Sequence, residues 1–219
     1  MTIDYAKARE TMVEQQVRPW DVFQPRILET IARLPRERFV AEAHRALAYA
    51  DVALPIGHGE SMMKPVLEGR TLQALSLAAG EDVLEVGTGS GYLSACLGAL
   101  ARDVVSLEIH ADLAEAARAR LQAEGIGNVR IETADVFAWD SDRRFDAICV
   151  GGAVATGAAA LLKWLRPGGR LFVVHGHAPA MEAALLRHAD NAAGHSVESL
   201  FETELPYLTG AAPSPHFTL

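Results

Sequence analysis

The sequence predicts an α/β protein with a doubly wound, mostly parallel sheet, preceded by helices and followed by antiparallel strands. Two observations predict this class. From residue 80 onward, short apolar runs alternate with segments of helical periodicity, as in a parallel sheet covered by helices. The first apolar run, residues 82–87, leads into glycines at alternate positions, where a strand would turn sharply into a helix.

The part of the chain before residue 80 predicts helices. Residues 4–17 and 21–34 carry apolar side chains at helical spacing, and Pro19 is expected to end the first helix. Residues 54–65 are rich in glycine and proline and predict a loop. A further helix is expected over residues 65–79.

The rest of the chain predicts alternating strands and helices. Strands are expected at 82–87, 104–108, 129–133, 145–150 and 170–174, and helices at 91–100, 111–124 and 156–165. The tail predicts a helix at 179–189 and strands at 196–204 and 205–208. We therefore expect one domain over residues 1–219, with helices and a loop in 1–79, a cofactor-binding core in 80–175 and a helix with strands in 176–219.

Composition and charge exclude several classes of protein. The formal net charge is −8 and no run is rich in Lys and Arg, so no nucleic-acid partner is expected. No apolar stretch reaches the ~18 residues of a membrane span and no secretory leader is visible, so we expect a cytoplasmic protein without membrane contact. Cys96 and Cys149 lie in apolar patterns, as buried free thiols do. We expect no metal site and a monomer or weak homo-oligomer.

The ends of the predicted parallel strands point to a binding site, because ligands of open parallel sheets lie outside the carboxyl ends of the strands. Gly87, Gly89 and Gly91 would let a ligand approach the backbone closely. Glu108 ends the second strand about 20 residues later, the spacing typical of an acid that binds the ribose hydroxyls of an adenosine. Its alternative role is that of a solvated carboxylate.

The third predicted strand ends close to Asp135 and Val136. The Asp135 carboxylate is expected to accept the amino group of an adenine, and Val136 to flank the ring. The alternative role for Asp135 is that of a helix N-cap. Because these residues and Glu108 follow successive strands, we favour the binding role for both acids.

The spacing of the glycines, with Glu85 two residues ahead of the first, resembles motif I of methyltransferases that use S-adenosylmethionine (SAM). In that motif Thr88 and Ser90 would also border the cofactor, and Glu85 would help to make the pocket acidic enough for a sulfonium. SAM is therefore the expected cofactor. NAD is the alternative, disfavoured because Tyr92 stands where the third glycine of the dinucleotide fingerprint would fall.

Over nearly its whole length the chain resembles the protein-L-isoaspartate O-methyltransferase family. The similar stretches are 12–16, 34–40, 48–51, 54–57, 84–92, 145–148, 165–169 and 197–206. The resemblance implies a Rossmann-like methyltransferase fold and SAM-dependent methylation of the free carboxylate of L-isoaspartyl or D-aspartyl residues in damaged proteins. The ester collapses to a succinimide, which allows repair. It implies protein or peptide substrates and a substrate loop after residue 57.

The substrate loop departs from the family pattern. Ser61 stands at a position where the family has Thr, Met63 at that of the family's active-site Ser, and Val66 at that of a frequent His. The attacking carboxylate has a reference pKa near ~4 and needs no general base. Loss of one orienting hydroxyl is therefore expected to slow the reaction by ~10²–10³ without abolishing it. Ser61, His58 and Lys64 are the replacement donors to consider.

Two further functions remain open on the sequence alone. One is a SAM-dependent methyltransferase of the same fold with a different, small-molecule acceptor, which the loop substitutions favour. The other is a SAM-binding protein without catalysis. The alternative role of Lys64 is that of a solvated loop residue, and that of Met63 is simple packing.

Overall fold

The amino-terminal part packs helices around a short β-hairpin. The structure, a computed structural model, describes residues 3–188 and 194–213. The elements in this part are α1 (Tyr5–Met12), α2 (Pro25–Arg33), β1 (Leu54–Gly57), β2 (Glu60–Met62) and α3 (Pro65–Leu75). The strands β1 and β2 pair antiparallel, where the sequence predicted only a loop. After α1 the chain continues as a π-helix (Val13–Val17) and a 3-10 helix (Arg18–Trp20). It therefore stays helical beyond residue 17, where the predicted helix ends.

A seven-stranded sheet forms the centre of the molecule. Its strands are β3 (Asp82–Val86), β4 (Asp103–Glu108), β5 (Val129–Thr133), β6 (Phe145–Val154), β7 (Leu165–His177), β8 (Ala180–His188) and β9 (His195–Glu202). They lie in the order β5-β4-β3-β6-β7-β8-β9. Pairing is parallel from β5 to β7 and antiparallel from β7 to β9, which confirms the predicted mostly parallel sheet.

Helices cover both faces of this sheet. The helices α4 (Tyr92–Leu100) and α5 (Ala111–Ala123) pack on the face to which Val83 points, together with the amino-terminal helices. The next residue, Leu84, points to the opposite face. A 3-10 helix, Ala158–Trp164, covers that second face, where the sequence predicted an α-helix.

The predicted helix at 179–189 is wrong. Residues Ala180–His188 form β8, which pairs with β7 on one side and β9 on the other. Met181 and Ala183 pack on one face of the sheet and Ala184 and Leu186 on the other, so both faces of this strand are buried. The last predicted strand, 205–208, forms only an isolated bridge between Tyr207 and Ala153.

Among the residues that the structure describes, no helix has the length and apolar character needed to cross a bilayer. Cys96 and Cys149 are buried free thiols, and burial raises the pKa of the Cys149 thiol. Both thiols are therefore held in the protonated, unreactive form.

Candidate active site

The carboxyl ends of β3, β4, β5 and β6 open onto a crevice of about 640 Å³. The sheet contributes the turn after β3, the end of β4, the segment after β5 and the middle of β6. The hairpin of β1 and β2 forms the opposite wall, and the crevice is lined by Ile56, Glu60, Ser61, Val86, Gly87, Gly89, Leu107, Glu108, Ile109, His110, Leu113, Ala134, Asp135, Val136, Gly151, Gly152, Leu208 and Thr209.

The turn after β3 needs its glycines. Gly91 has a φ of 86°, a conformation that L side chains rarely adopt, and a Cβ there would lie 3.1 Å from the Ala117 side chain on α5. A Cβ on Gly151 of β6 would lie 2.8 Å from the carbonyl oxygen of Gly87. The turn is thus wedged between α5 and β6, and its backbone is fixed before any ligand binds.

Glu108 faces the crevice, as the sequence predicts. Its Oε2 accepts the backbone N–H of Gly89 at 2.8 Å, and its Oε1 accepts that of His110 at 3.0 Å. The side chain is buried against the protein yet lines the crevice. Two backbone donors therefore hold the carboxylate where a ribose could meet it.

Asp135 and Val136 also line the crevice, beyond the end of β5. Asp135 accepts the backbone N–H of Phe137 at 2.9 Å, which orients its carboxylate. Val136, Leu113 and Leu208 provide apolar surface beside it. A flat, partly polar ring such as adenine fits the chemistry of this end of the crevice.

Glu85 does not line the crevice, which corrects the expectation that it makes the cofactor pocket acidic. It is fully buried beneath the glycine turn, and its Oε2 accepts the hydroxyls of Ser94 and Ser106, both at 2.5 Å. Burial raises its pKa to about 7, against the opposing effect of these hydrogen bonds. Thr88 extends the network through a 2.5 Å contact with the Ser106 hydroxyl.

A smaller inner cavity of about 320 Å³ adjoins the crevice. The two share Ile56, Ser61, Gly87, Gly89 and Gly151, so they lie directly side by side. The remaining residues that line the inner cavity are Met62, Met63, Glu68, Thr88, Ser90 and Leu93.

The three residues predicted to be catalytic lie in different environments. Ser61 stands at the junction of the two cavities, and Met63 is buried on the wall of the inner one. Lys64 is exposed at the start of α3 and lines neither cavity, so the structure does not bring it to the site. Val66, at the family's frequent His position, is buried.

A buried ion pair next to the inner cavity was missed by the sequence analysis. The Arg36 guanidinium donates to the Glu68 carboxylate, to the carbonyl of Ala48 at 2.8 Å and to that of Met63 at 2.6 Å. Burial opposes the charge on Arg36, but Glu68 outweighs it and raises the pKa of the guanidinium. Arg36 thus fixes the backbone at Met63. The only sign of this buried pair in the sequence was an arginine and a glutamate within apolar helical segments.

Side chains of His58, His110 and Asp112 join the hairpin to the segment after Glu108. The rings of His58 and His110 stack with centroids 3.9 Å apart, and His58 Nε2 lies 2.9 Å from an Asp112 oxygen. The hydrogen bond from His58 lowers the pKa of Asp112. His58, considered above as a substrate donor, therefore links the hairpin to the segment after Glu108 and lines neither cavity.

The charges around the crevice favour a cationic ligand over a dinucleotide. Glu60, Glu108 and Asp135 all line it, so the pyrophosphate of NAD would face carboxylates. In residues 3–188 and 194–213, no group of three His, Cys, Asp or Glu side chains is placed to hold a metal ion.

The parallel sheet, the glycine turn and the acid at the end of the next strand define the Rossmann-like fold of SAM-dependent methyltransferases. A profile of the protein-L-isoaspartate(D-aspartate) O-methyltransferase family matches residues 7–203. The chain belongs to this family.

Individual proteins agree with this assignment. The chain is 39% identical over 180 residues to protein-L-isoaspartate O-methyltransferase of Koribacter versatilis, covering 82% of this chain and 81% of the relative. It is 41% identical over 167 residues to that of Methylorubrum populi, covering 76% and 78%. A candidate protein-L-isoaspartate O-methyltransferase of Plasmodium falciparum, solved with S-adenosyl-L-homocysteine, has the same fold with a TM-score of 0.80 at 20% identity, over 91% of this chain and 97% of that one.

Proposed function

We propose that this protein transfers a methyl group from SAM to the free carboxylate of L-isoaspartyl and D-aspartyl residues in damaged proteins. The family and the names of the relatives support this reaction. The observation that carries the proposal is the crevice itself. In it, Glu108 is held against the glycine turn, and an inner cavity continues from it beneath the substrate loop.

The residues of the crevice fit SAM. The Glu108 carboxylate would accept the ribose hydroxyls, and Asp135 the amino group of the adenine, beside the apolar surface of Val136. Burial raises the pKa of Glu60, the hairpin acid on the same crevice. A bound SAM supplies an electrophilic methyl group on a sulfonium, and the acidic surroundings suit that positive charge.

The protein's own task is to orient the acceptor. A carboxylate is ionised at neutral pH, so no residue has to remove a proton. Holding it in line with the methyl group can contribute up to ~7–11 kcal/mol in favourable systems. Ser61 carries a hydroxyl at the junction of the two cavities and is the donor we assign to that carboxylate. Met63 lines the inner wall and excludes water there.

Methyl transfer to peptides tests the proposal. Labelled SAM is offered with an isoaspartyl peptide, and the aspartyl peptide of the same sequence serves as the control. We expect selective labelling of the isoaspartyl peptide. We expect Ser61→Ala to lower kcat by about 10-fold or more with little change in SAM affinity, because it removes one orienting donor. Equal labelling of both peptides would contradict isoaspartyl specificity.

A smaller acceptor is the second possible function, favoured by the apolar Met63 at the family's serine position. Labelling of neither peptide by a preparation that binds SAM would support it, or a SAM-binding role without catalysis. The cytoplasmic location, the monomeric or weakly oligomeric state and the lack of a nucleic-acid partner stay predictions.

A further inference from the structure

The inner cavity has a carboxylate on its wall that the proposed reaction does not use. Glu68 is only 2% exposed, yet it lines this cavity together with Ser61 and Ser90. Among the described residues around the inner cavity, it is the only acid. The acids of the outer crevice, Glu60, Glu108 and Asp135, do not line it.

One oxygen of this carboxylate is available to a ligand. Arg36 contacts Oε2, and none of the hydrogen bonds among the described residues uses Oε1. Oε1 is not fully enclosed by the protein, so it can meet a molecule in the cavity. A donor on such a molecule would give this oxygen a partner.

Arg36 keeps Glu68 in place. Besides Glu68, the guanidinium binds the carbonyls of Ala48 and Met63, so it is tied to three separate segments of the chain. Burial raises the pKa of the Glu68 carboxyl, and the charge of Arg36 opposes that shift. A second cation at Oε1 would oppose it further.

Glu85 cannot fill this role. Its carboxylate is sealed beneath the glycine turn by Ser94 and Ser106 and lines neither cavity. SAM, which we propose to occupy the crevice, carries a primary ammonium group at its amino acid end. The inner cavity begins at the glycine turn, next to the crevice end at which the Glu108 carboxylate lies.

We propose that Glu68 binds the α-ammonium group of the cofactor's amino acid end through Oε1, with Arg36 as the positioning residue behind it. This rests on the proposed use of SAM. It assigns Glu68, and through it the buried pair, to recognition of the cofactor.

Calorimetry with two ligands tests the proposal. S-Adenosylhomocysteine carries the ammonium but no sulfonium, and 5′-methylthioadenosine has the same nucleoside without the amino acid end. Glu68→Gln keeps the shape and an oxygen for Arg36 but loses the charge. We expect it to weaken S-adenosylhomocysteine binding by about 10-fold to 100-fold and to leave 5′-methylthioadenosine binding unchanged.

A second variant is the control for loss of binding through misfolding. Replacing both partners, Arg36→Met with Glu68→Met, removes the buried charges together, which folded proteins often tolerate. We expect a cooperative melt and the same selective loss for S-adenosylhomocysteine.

Four outcomes would overturn the proposal. Equal losses for both ligands would make the pair purely structural, and unchanged binding of both would remove Glu68 from the site. A wild type that binds 5′-methylthioadenosine but not S-adenosylhomocysteine would refute this inference alone. A wild type that binds neither ligand would refute the proposed function as well.

Discussion

The Glu108 carboxylate accepts the backbone N–H of Gly89 at 2.8 Å, so the end of β4 holds the glycine turn at the end of β3. The same carboxylate faces the crevice. One side chain thus shapes the turn and presents its charge to the crevice, and a change at this position affects both.

Glu108→Ala is expected to weaken SAM binding by about 100-fold or more, because it removes charge-assisted hydrogen bonds to the ribose and loosens the turn. Glu108→Gln keeps an acceptor for Gly89 and separates the two effects, so we expect an intermediate loss. Calorimetric titration measures both. Unchanged affinity in Glu108→Ala would refute the assignment of this residue to the ribose.

Met63→Ser is expected to raise activity on isoaspartyl peptide and to lower stability. The new hydroxyl would face the inner cavity, but the buried Met63 side chain would be lost, at a cost of about 2 kcal/mol. Met63→Ala is the matched control, since it makes the same space without the hydroxyl. If both variants have the same kcat, the loop does not position the acceptor as it does in the family.

Glu85→Gln is expected to change how stability depends on pH. The folded-state pKa of Glu85, about 7, lies above the ordinary value of 4.5, so the folded protein holds this proton more tightly than the unfolded chain. Wild-type stability therefore falls as pH rises from 4.5 to 7, by on the order of 3 kcal/mol from this group.

Urea titration measures the difference in unfolding free energy between Glu85→Gln and wild type. As pH rises over this interval, the variant should become more stable relative to wild type. It should be constant above pH 8. A difference that does not vary with pH would mean that the Glu85 carboxyl is ionised at neutral pH.

Asp82→Asn is expected to destabilise the protein at neutral pH by about 1–3 kcal/mol. Burial alone would raise the pKa of Asp82, but hydrogen bonds from Arg102 and Arg166 outweigh it and lower the pKa. Its contribution is present above the unfolded-state pKa, near ~4, and is lost as pH falls through the lower folded-state value. The variant and wild type should therefore converge in acid.

Glu10→Gln is the control for Asp82→Asn. It breaks the pair of Glu10 with Lys7, both well exposed, and should leave stability nearly unchanged. Urea titration at several pH values measures both variants. Equal effects at Asp82 and Glu10 would contradict the role given to burial.

The parallel core was predictable because its strands are apolar runs bounded by turns. β3, β4 and β5 begin within a residue of their predicted positions. The position of Glu108 and Asp135 beside the crevice was predictable for the same reason, since the carboxyl ends of parallel strands meet at one edge of the sheet.

β8 was not predictable from its periodicity. Its sequence is rich in Ala and Leu, which favour helices, but it is buried on both faces between β7 and β9. A short apolar run with both faces buried lacks the alternation that identifies a strand. Packing between two strands decided its structure.

The buried polar residues show a second limit of the sequence. Glu85 alternates with Leu84 and Val86 along β3, so the pleat turns its side chain to the helical face. Its motif indicated a place near the cofactor but not on which side of the turn. Arg36 and Glu68 are 32 residues apart, and only the folded chain brings them together.

Leu208 and Thr209 line the crevice although they lie beyond the last strand and beyond residues 7–203, the part that matches the family profile. They are held there by hydrogen bonds of Ala153 with Pro206 and Leu208. A chain shortened at residue 204 would keep all seven strands of the sheet but lose one wall of the crevice. Deletions and fusions aimed at preserving activity should therefore spare the segment as far as Ala211, whose carbonyl binds Ala155.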